Sequence, residues 1–209
     1  MAAKGTTAPA RRSQAERRSA SERKLLDATA QVVAERGSAG ATFAAVAEVA
    51  GGSRSHPHYL FGSKGAMLEA LVAEFSELYT EQVVGRIGDA TGLDAILAVV
   101  KMFIRSLADP LTMTKAFYVL LGESLSTLPE LRPGLNAYHE WLQDLVRSWI
   151  DQGVAAGDLS AEVDAQAAAV TIVAMVRGIG FLVLSNPDAY DLKALEQLTI
   201  AQITQTLRA

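Results

Sequence analysis

The chain has 209 residues, half of them hydrophobic, with no cysteine and a formal net charge of −4. That composition excludes global disorder, and the missing cysteine excludes disulfides, cysteine-ligated zinc and thiol redox sensing. Residues 1–64 carry ten Lys and Arg against five Asp and Glu (net +5), residues 65–209 nine against eighteen (net −9), so a polyanion is expected to meet only the front of the molecule.

Residues 1–20 are polar and basic, without the apolar run of a secretory signal, and read as a flexible basic arm of a cytoplasmic protein. Arg11, Arg12, Arg17 and Arg18 make the arm a phosphate-seeking element or a solubilising tail. From Ser21 the periodicity is helical. Leu25, Leu26, Thr29, Val32 and Val33 share a face, and Gly37 stands where a left-handed cap belongs. Thr42 offers the next N-cap, ahead of Phe43, Val46, Ala47, Val49 and Ala50. Gly51-Gly52 stops that helix, and Ser53 is placed to cap another. From Ser63 a stripe of Met67, Leu68, Leu71, Val72, Phe75 and Leu78 runs on until Gly85 to Gly88. Further helices are predicted over 93–107, 111–123, 135–153, 164–184 and 191–207, punctuated by Pro110, Pro129, Pro133, Gly157 and Asn186-Pro187. No segment alternates with a period of two. The predicted fold is all-α, with an arm over 1–20, a helix-turn-helix domain over 21–64 and a larger helical domain over 65–209.

The stretch GSRSHPHYLFGSK, residues 52–64, carries the chemistry. Two short helices that meet steeply need a small residue at their contact and a residue tolerant of positive φ in the turn. Ala47 and Gly51 supply these, and Pro57 and Leu60 point back at Val46 and Ala50. Arg54, Ser55, His56, His58 and Tyr59 are then left exposed. Pro57 breaks a helix that begins at Ser53 but suits the first turn of one that begins near His56. His56 and His58 diverge on a helix and no carboxylate cluster joins them, so no metal is expected.

The blocks Arg23-Lys24-Leu25-Leu26-Asp27-Ala28, Ala34-Glu35-Arg36-Gly37, Thr42, Val46-Ala47-Glu48, Ala50-Gly51, Ser53-Arg54, Tyr59, Phe61-Gly62-Ser63-Lys64 and Met67-Leu68 resemble the TetR family of transcriptional regulators. The resemblance covers residues 21 to about 75. It implies an N-terminal three-helix DNA-binding domain, a fourth helix leading into a ligand-binding and dimerisation domain, and a phosphate contact from Thr42. The chain departs from the family pattern at Ala44, Gly52, Pro57, His58 and Gly65, which implies a different operator sequence. Arg54, Ser55 and His56 are the candidates for base edges, with arginine to guanine the strongest such pairing. Tyr59 and Lys64 are the candidates for phosphate, Lys64 beside the capping Ser63 at a helix start.

In the C-terminal part, Phe103, Phe117, Tyr118 and Trp141 come from three successive predicted helices and are the candidates to line an apolar ligand pocket. Arg105, Glu123, Asn136, His139, Thr171 and Arg177 are polar groups available to orient a ligand, unranked by sequence. The run Ala167 to Leu184 is the most membrane-like, but Arg177, Thr171, Gly178 and Gly180 interrupt it and it reads as a buried or subunit-contacting helix. Ile172, Met175, Gly178, Ile179 and Leu198 are the expected dimer contacts, with Gly178 and Gly180 admitting a partner helix. The chain has no hydrolase elbow, Walker loop or zinc signature, so neither an enzyme nor a cofactor is expected. The expected protein is a homodimeric repressor released from a palindromic double-stranded DNA operator by an apolar or weakly cationic small molecule. The alternative is a small-molecule-binding or scaffold protein whose DNA domain is no longer competent.

Overall fold

The computed structural model describes residues 14–109 and 112–208. Its helices are α1 (Gln14–Gly40), α2 (Phe43–Val49), α3 (His56–Phe61), α4 (Lys64–Ile87), α5 (Gly92–Ser106), α6 (Thr112–Ser124), α7 (Arg132–Ala155), α8 (Ala165–Ser185) and α9 (Leu192–Arg208), and the described residues hold no strand. Helix α1 starts at Gln14, so residues 14–20, expected in the arm, are helical. Arg11 and Arg12 lie outside the described residues.

The predicted α1 face is the buried one: Leu25, Leu26, Thr29, Val32 and Val33 are all at most 4% exposed. The Thr29 hydroxyl is satisfied by donating to the Leu25 carbonyl at 2.7 Å. Gly37 breaks the helix with φ 69° and ψ 177°, a left-handed φ that a residue with a Cβ adopts at a cost, and the last turn runs off at an angle. Helices α1 to α3 pack together, and α4 carries Met67, Leu68, Leu71, Val72 and Phe75 from this small core into the larger one. There α5, α7 and α8 pack side by side, α9 closes over α5, and α6 lies against α1.

Helix α8 is apolar nearly all round. By length and composition it is sufficient to cross a membrane, with a mean hydropathy of 2.2 over its most apolar 18 residues. Its inner side buries Ile172, Val173, Val176, Gly180 and Val183, and its one charged residue is Arg177. A methyl group on Gly180 would collide with the Tyr118 hydroxyl and lie 2.9 Å from Phe103 Cζ. Gly180 therefore admits helices of its own chain and not a partner's, a correction to its expected role.

Candidate nucleic-acid interface and regulatory site

The turn between α2 and α3 is held by backbone bonds that the sequence dictates. The Thr42 side chain caps α2 by accepting from the Ala45 N–H at 3.2 Å. Val46 and Ala47 are fully buried, which brings α3 close. Gly51 takes φ 62°, and the Gly52 N–H returns to the Ala47 carbonyl at 2.9 Å. Of the two starts open to α3, the structure uses the later. The His56 N–H reaches the Ser53 carbonyl at 3.0 Å, and Pro57 sits in the first turn, where its missing N–H costs nothing, with its ring buried. Ser53 does not cap α3: its hydroxyl accepts from the Ser55 N–H at 3.4 Å and stands 2.9 Å from the Ser55 hydroxyl.

Arg54, Ser55, His58 and Tyr59 face solvent, Tyr59 at 87% exposure. His58 packs edge-on to Phe43, with centroids 5.4 Å apart, which fixes it against α2. His56 departs from its expected part. It is half-buried, and its Nε2 lies 3.2 Å from the Ser21 hydroxyl, tying α3 to α1. Lys64 also has a structural partner, donating to the Ala39 carbonyl at 3.3 Å. That bond uses one of its three protons at the C-terminal end of α1, where a cation is favoured. Ser63 caps α4 by accepting from the Ala66 N–H at 3.1 Å.

The aromatic residues of the larger domain form one stack. Phe117 lies flat on Phe75 with centroids 3.8 Å apart and meets Tyr118 and Tyr138 edge-on at 5.8 Å each. Trp141 stacks on Tyr138 at 5.9 Å, one ring further out, and is half-buried. Phe103, Phe117 and Tyr118 are buried. Phe103 and Phe117 border one centre, and Trp141 stands behind it. That centre is Arg177, its guanidinium carbon 5.8 Å from the Phe103 ring centroid and 5.2 Å from those of Phe117 and Tyr138. Burial opposes its charge, the Tyr138 and Tyr118 oxygens offset that effect, and the net shift is upward, so Arg177 remains a cation. The Tyr118 hydroxyl donates to the Arg177 carbonyl at 3.3 Å. His139, beside Phe117 and Tyr138, is pushed down to about 4, first by burial and then by Arg177, and is neutral near pH 7. Next to them Tyr79 and Thr114 share a hydrogen bond through their hydroxyls.

This geometry ranks the polar candidates. Arg177 and His139 sit at the aromatic centre, and Glu123 joins α6 to α1. Arg105 is exposed and paired with Glu196, Asn136 is exposed, and Thr171 is exposed and bonds its own helix. The cation at this centre would repel a second positive charge placed beside it. The net charge of residues 65–209 describes mainly a solvated surface and not the interior. Tyr138 belongs to this aromatic cluster as well, although it is not among the four candidates for a pocket. The signal for the site is the lone Arg177 inside an apolar run, since a charge there must find a partner or a purpose.

The outer face of α8 needs a second correction. Ile172 is only 6% exposed within its own chain and so is not primarily an intersubunit residue. Met175 and Ile179 are half-buried, whereas Gly178 is exposed with open space beyond it. Leu198 is 58% exposed, and among the exposed residues of α8 are Val170, Ala174, Gly178, Phe181 and Leu182, with Phe181 at 56%. Their spacing of four, four, three and one places them on one strip without a charge. Ile172 and Met175 instead line an open groove of about 360 Å³ beside Ile203 and Leu207 of α9.

Comparison with known proteins adds the family. The family model described as bacterial regulatory proteins, tetR family, matches residues 25–71. The one described as BetI-type transcriptional repressor, C-terminal, matches residues 89–208. No curated protein matches the chain. Among solved structures, a TetR transcriptional regulator from Chloroflexus aurantiacus has a TM-score of 0.79 at 21% identity, covering 92% of this chain and 98% of its own. A putative TetR-family regulator from Rhodococcus sp. has a TM-score of 0.76 at 23% identity, covering 90% and 99%. The regulator FadR from Bacillus subtilis, in complex with stearoyl-CoA, has a TM-score of 0.77 at 20% identity, covering 88% and 98%. These structures share the fold. With both halves matched by its family models, the chain belongs to the TetR family of bacterial transcriptional regulators.

Proposed function

We propose that the protein is a cytoplasmic homodimeric repressor whose two α3 helices read half-sites of a palindromic operator, and that a largely apolar small molecule bound in the α4–α8 domain releases it. The observation that carries the DNA assignment is the bare surface at the start of α3: Arg54 and Ser55 in the turn before the helix and Tyr59 on it are exposed, while Pro57 and His56 fix its other side and Gly51 the turn. In this arrangement Arg54 and Ser55 meet base edges and His58 and Tyr59 flank them. Thr42 and Lys64 meet phosphate from the starts of α2 and α4, and His56 sets the angle of α3. The uncharged strip of α8, with Leu198 of α9, pairs with its copy across a two-fold axis. Phe103, Phe117, Tyr118 and Tyr138, with Trp141 behind, form the wall of the effector site. Release follows when the effector favours a dimer whose two α3 helices no longer match successive major grooves. Catalysis has no part in it.

The test is a titration of duplex DNA by fluorescence anisotropy over a salt series, repeated with compounds that raise the melting temperature. Affinity that falls steeply with salt, and falls again with a stabilising compound, is the expected pattern. Compounds that stabilise the protein and leave DNA affinity unchanged count against the switch.

A further inference from the structure

We propose that Arg177 is the anchor of the effector site and that the effector is a monoanion, a carboxylate on an apolar body. This rests on the effector-domain reading above and narrows its ligand class. Arg177 Nε and Nη2 are shut off from solvent and have no hydrogen-bond partner. Among the described residues no carboxylate pairs with this guanidinium. The three rings around it favour a cation through their faces, but they leave those two in-plane N–H groups unused. Of the hydroxyls nearby, Tyr118 donates to the Arg177 carbonyl and Tyr79 pairs with Thr114; the Tyr138 and Tyr118 oxygens favour the cation, but neither closes Nε or Nη2 with a hydrogen bond of good geometry. Neutral His139 adds no negative charge.

Arg105 of the same chain shows what this edge of a guanidinium accepts. Its Nε and Nη2 are closed by the two oxygens of Glu196 at 2.7 Å each. A carboxylate is the group that satisfies such a fork with two parallel bonds and one compensating charge. A single buried cation matches one negative charge, and the surrounding Phe103, Phe117 and Tyr138 match an apolar body. The groove that shares Tyr118 with this centre has about 400 Å³, and its Lys115 and Glu123 side, away from Phe181 and the subunit contact, is the approach the proposal requires. Tyr118 lines that groove and lies against Gly180, and the proposal requires its ring to turn aside for the ligand to reach Arg177. Without ligand, a buried and unsatisfied cation is a cost carried by the closed state. An anion removes that cost, which gives the ligand a differential affinity for an opened state.

The test is calorimetric titration of the full chain with decanoate, methyl decanoate and decylamine, and with phenylacetate and methyl phenylacetate. The proteins are wild type, Arg177→Met and Arg177→Lys. Wild type is expected to bind a carboxylate about tenfold or more tighter than its ester, and not to bind the amine. Arg177→Met is expected to bind acid and ester alike and to melt higher than wild type without ligand. Arg177→Lys, which keeps the charge and loses the fork, is expected to retain part of the acid preference and carries the test if Arg177→Met fails to fold. Equal binding of acid and ester by wild type, or no binding of either carboxylate, overturns the proposal. So does an Arg177→Met protein that melts lower with its acid-to-ester ratio intact, which would leave Arg177 a purely structural cation. Esters that bind as well as acids and still release DNA would sink this inference alone. Carboxylate selectivity without any effect on DNA would sink the regulatory reading alone.

Discussion

The carboxylate of Glu123, on α6, accepts a hydrogen bond from the backbone N–H of Ser38 at 3.2 Å. Ser38 is buried and follows Gly37, where α1 breaks. The same oxygen fills the space a side chain at Gly37 would need, 3.0 Å from where its Cβ would lie. Earlier on the same helix α6 carries Phe117 and Tyr118, which touch the Arg177 centre, and beyond Ser38 the chain enters α2 and α3. Glu123 is thus a direct polar link between the helix that borders the aromatic centre and the segment that leads to the helix-turn-helix.

Glu123→Ala leaves the Ser38 N–H buried without an acceptor and is expected to cost ~1–3 kcal/mol in urea unfolding. Glu123→Gln keeps an acceptor and is expected to cost less. In the Ala variant the effect of an effector on DNA affinity is also expected to shrink. An Ala variant with unchanged stability and unchanged coupling would show that the bond transmits nothing.

Arg54→Ala is expected to cost ~1–3 kcal/mol at one position of each half-site and to relax the base preference there. Lys64→Ala is expected to weaken all sequences alike and to lower the salt slope by about one for each phosphate that Lys64 neutralises. It also removes the bond to Ala39, so a small fall in melting temperature accompanies it. Anisotropy titrations against matched and mismatched duplexes separate the two patterns.

The small core is legible from the sequence because its rules are local. The α1 face, the Thr42 and Ser63 caps and the Gly51 turn each follow from a few neighbours. The start of α3 is not settled by them, because Pro57 excludes one start without choosing its replacement. His56 reads as a base contact for the same kind of reason: its partner Ser21 lies 35 residues away, and only tertiary packing brings them together. On α8 the difficulty is different. A helix apolar all round has no periodic contrast to tell its inner side from its outer one. Ile172 and Gly180 therefore read as residues for a partner, although their own chain covers them, and nothing in the pattern picks out Val170, Phe181 and Leu182.

Phe181→Glu places a charge in the bare strip of α8 twice in a two-fold dimer, and sedimentation is expected to show a folded monomer. Ile172→Ala instead opens the chain's own core and is expected to cost ~2–5 kcal/mol. A dimer that survives Phe181→Glu unchanged would move the interface elsewhere.

Phe117→Ala is expected to cost ~3–5 kcal/mol, because in the unliganded chain the ring is buried and stacked on Phe75. Thermal or chemical denaturation checks this, and near-wild-type stability would mean that the ring borders a void.

His139 sets a pH dependence. Its pKa is about 4 in the folded chain against an ordinary 6.5, so the unfolded chain takes up the proton first as pH falls. Its contribution is complete above pH 6.5 and is lost as pH falls toward 4. His139→Gln is expected to flatten the stability profile in that window relative to wild type, and parallel profiles would contradict it.

Selection of bound duplexes from a random DNA pool, followed by the stoichiometry of the winning site, bears most directly on the regulator as a whole. The expected result is an inverted repeat with half-site centres about 10 base pairs, or a multiple of one helical turn, apart. It should bind an even number of chains and lose its preference with Arg54→Ala. Enrichment of no sequence, or of an asymmetric site bound by one chain and indifferent to Arg54, would contradict it.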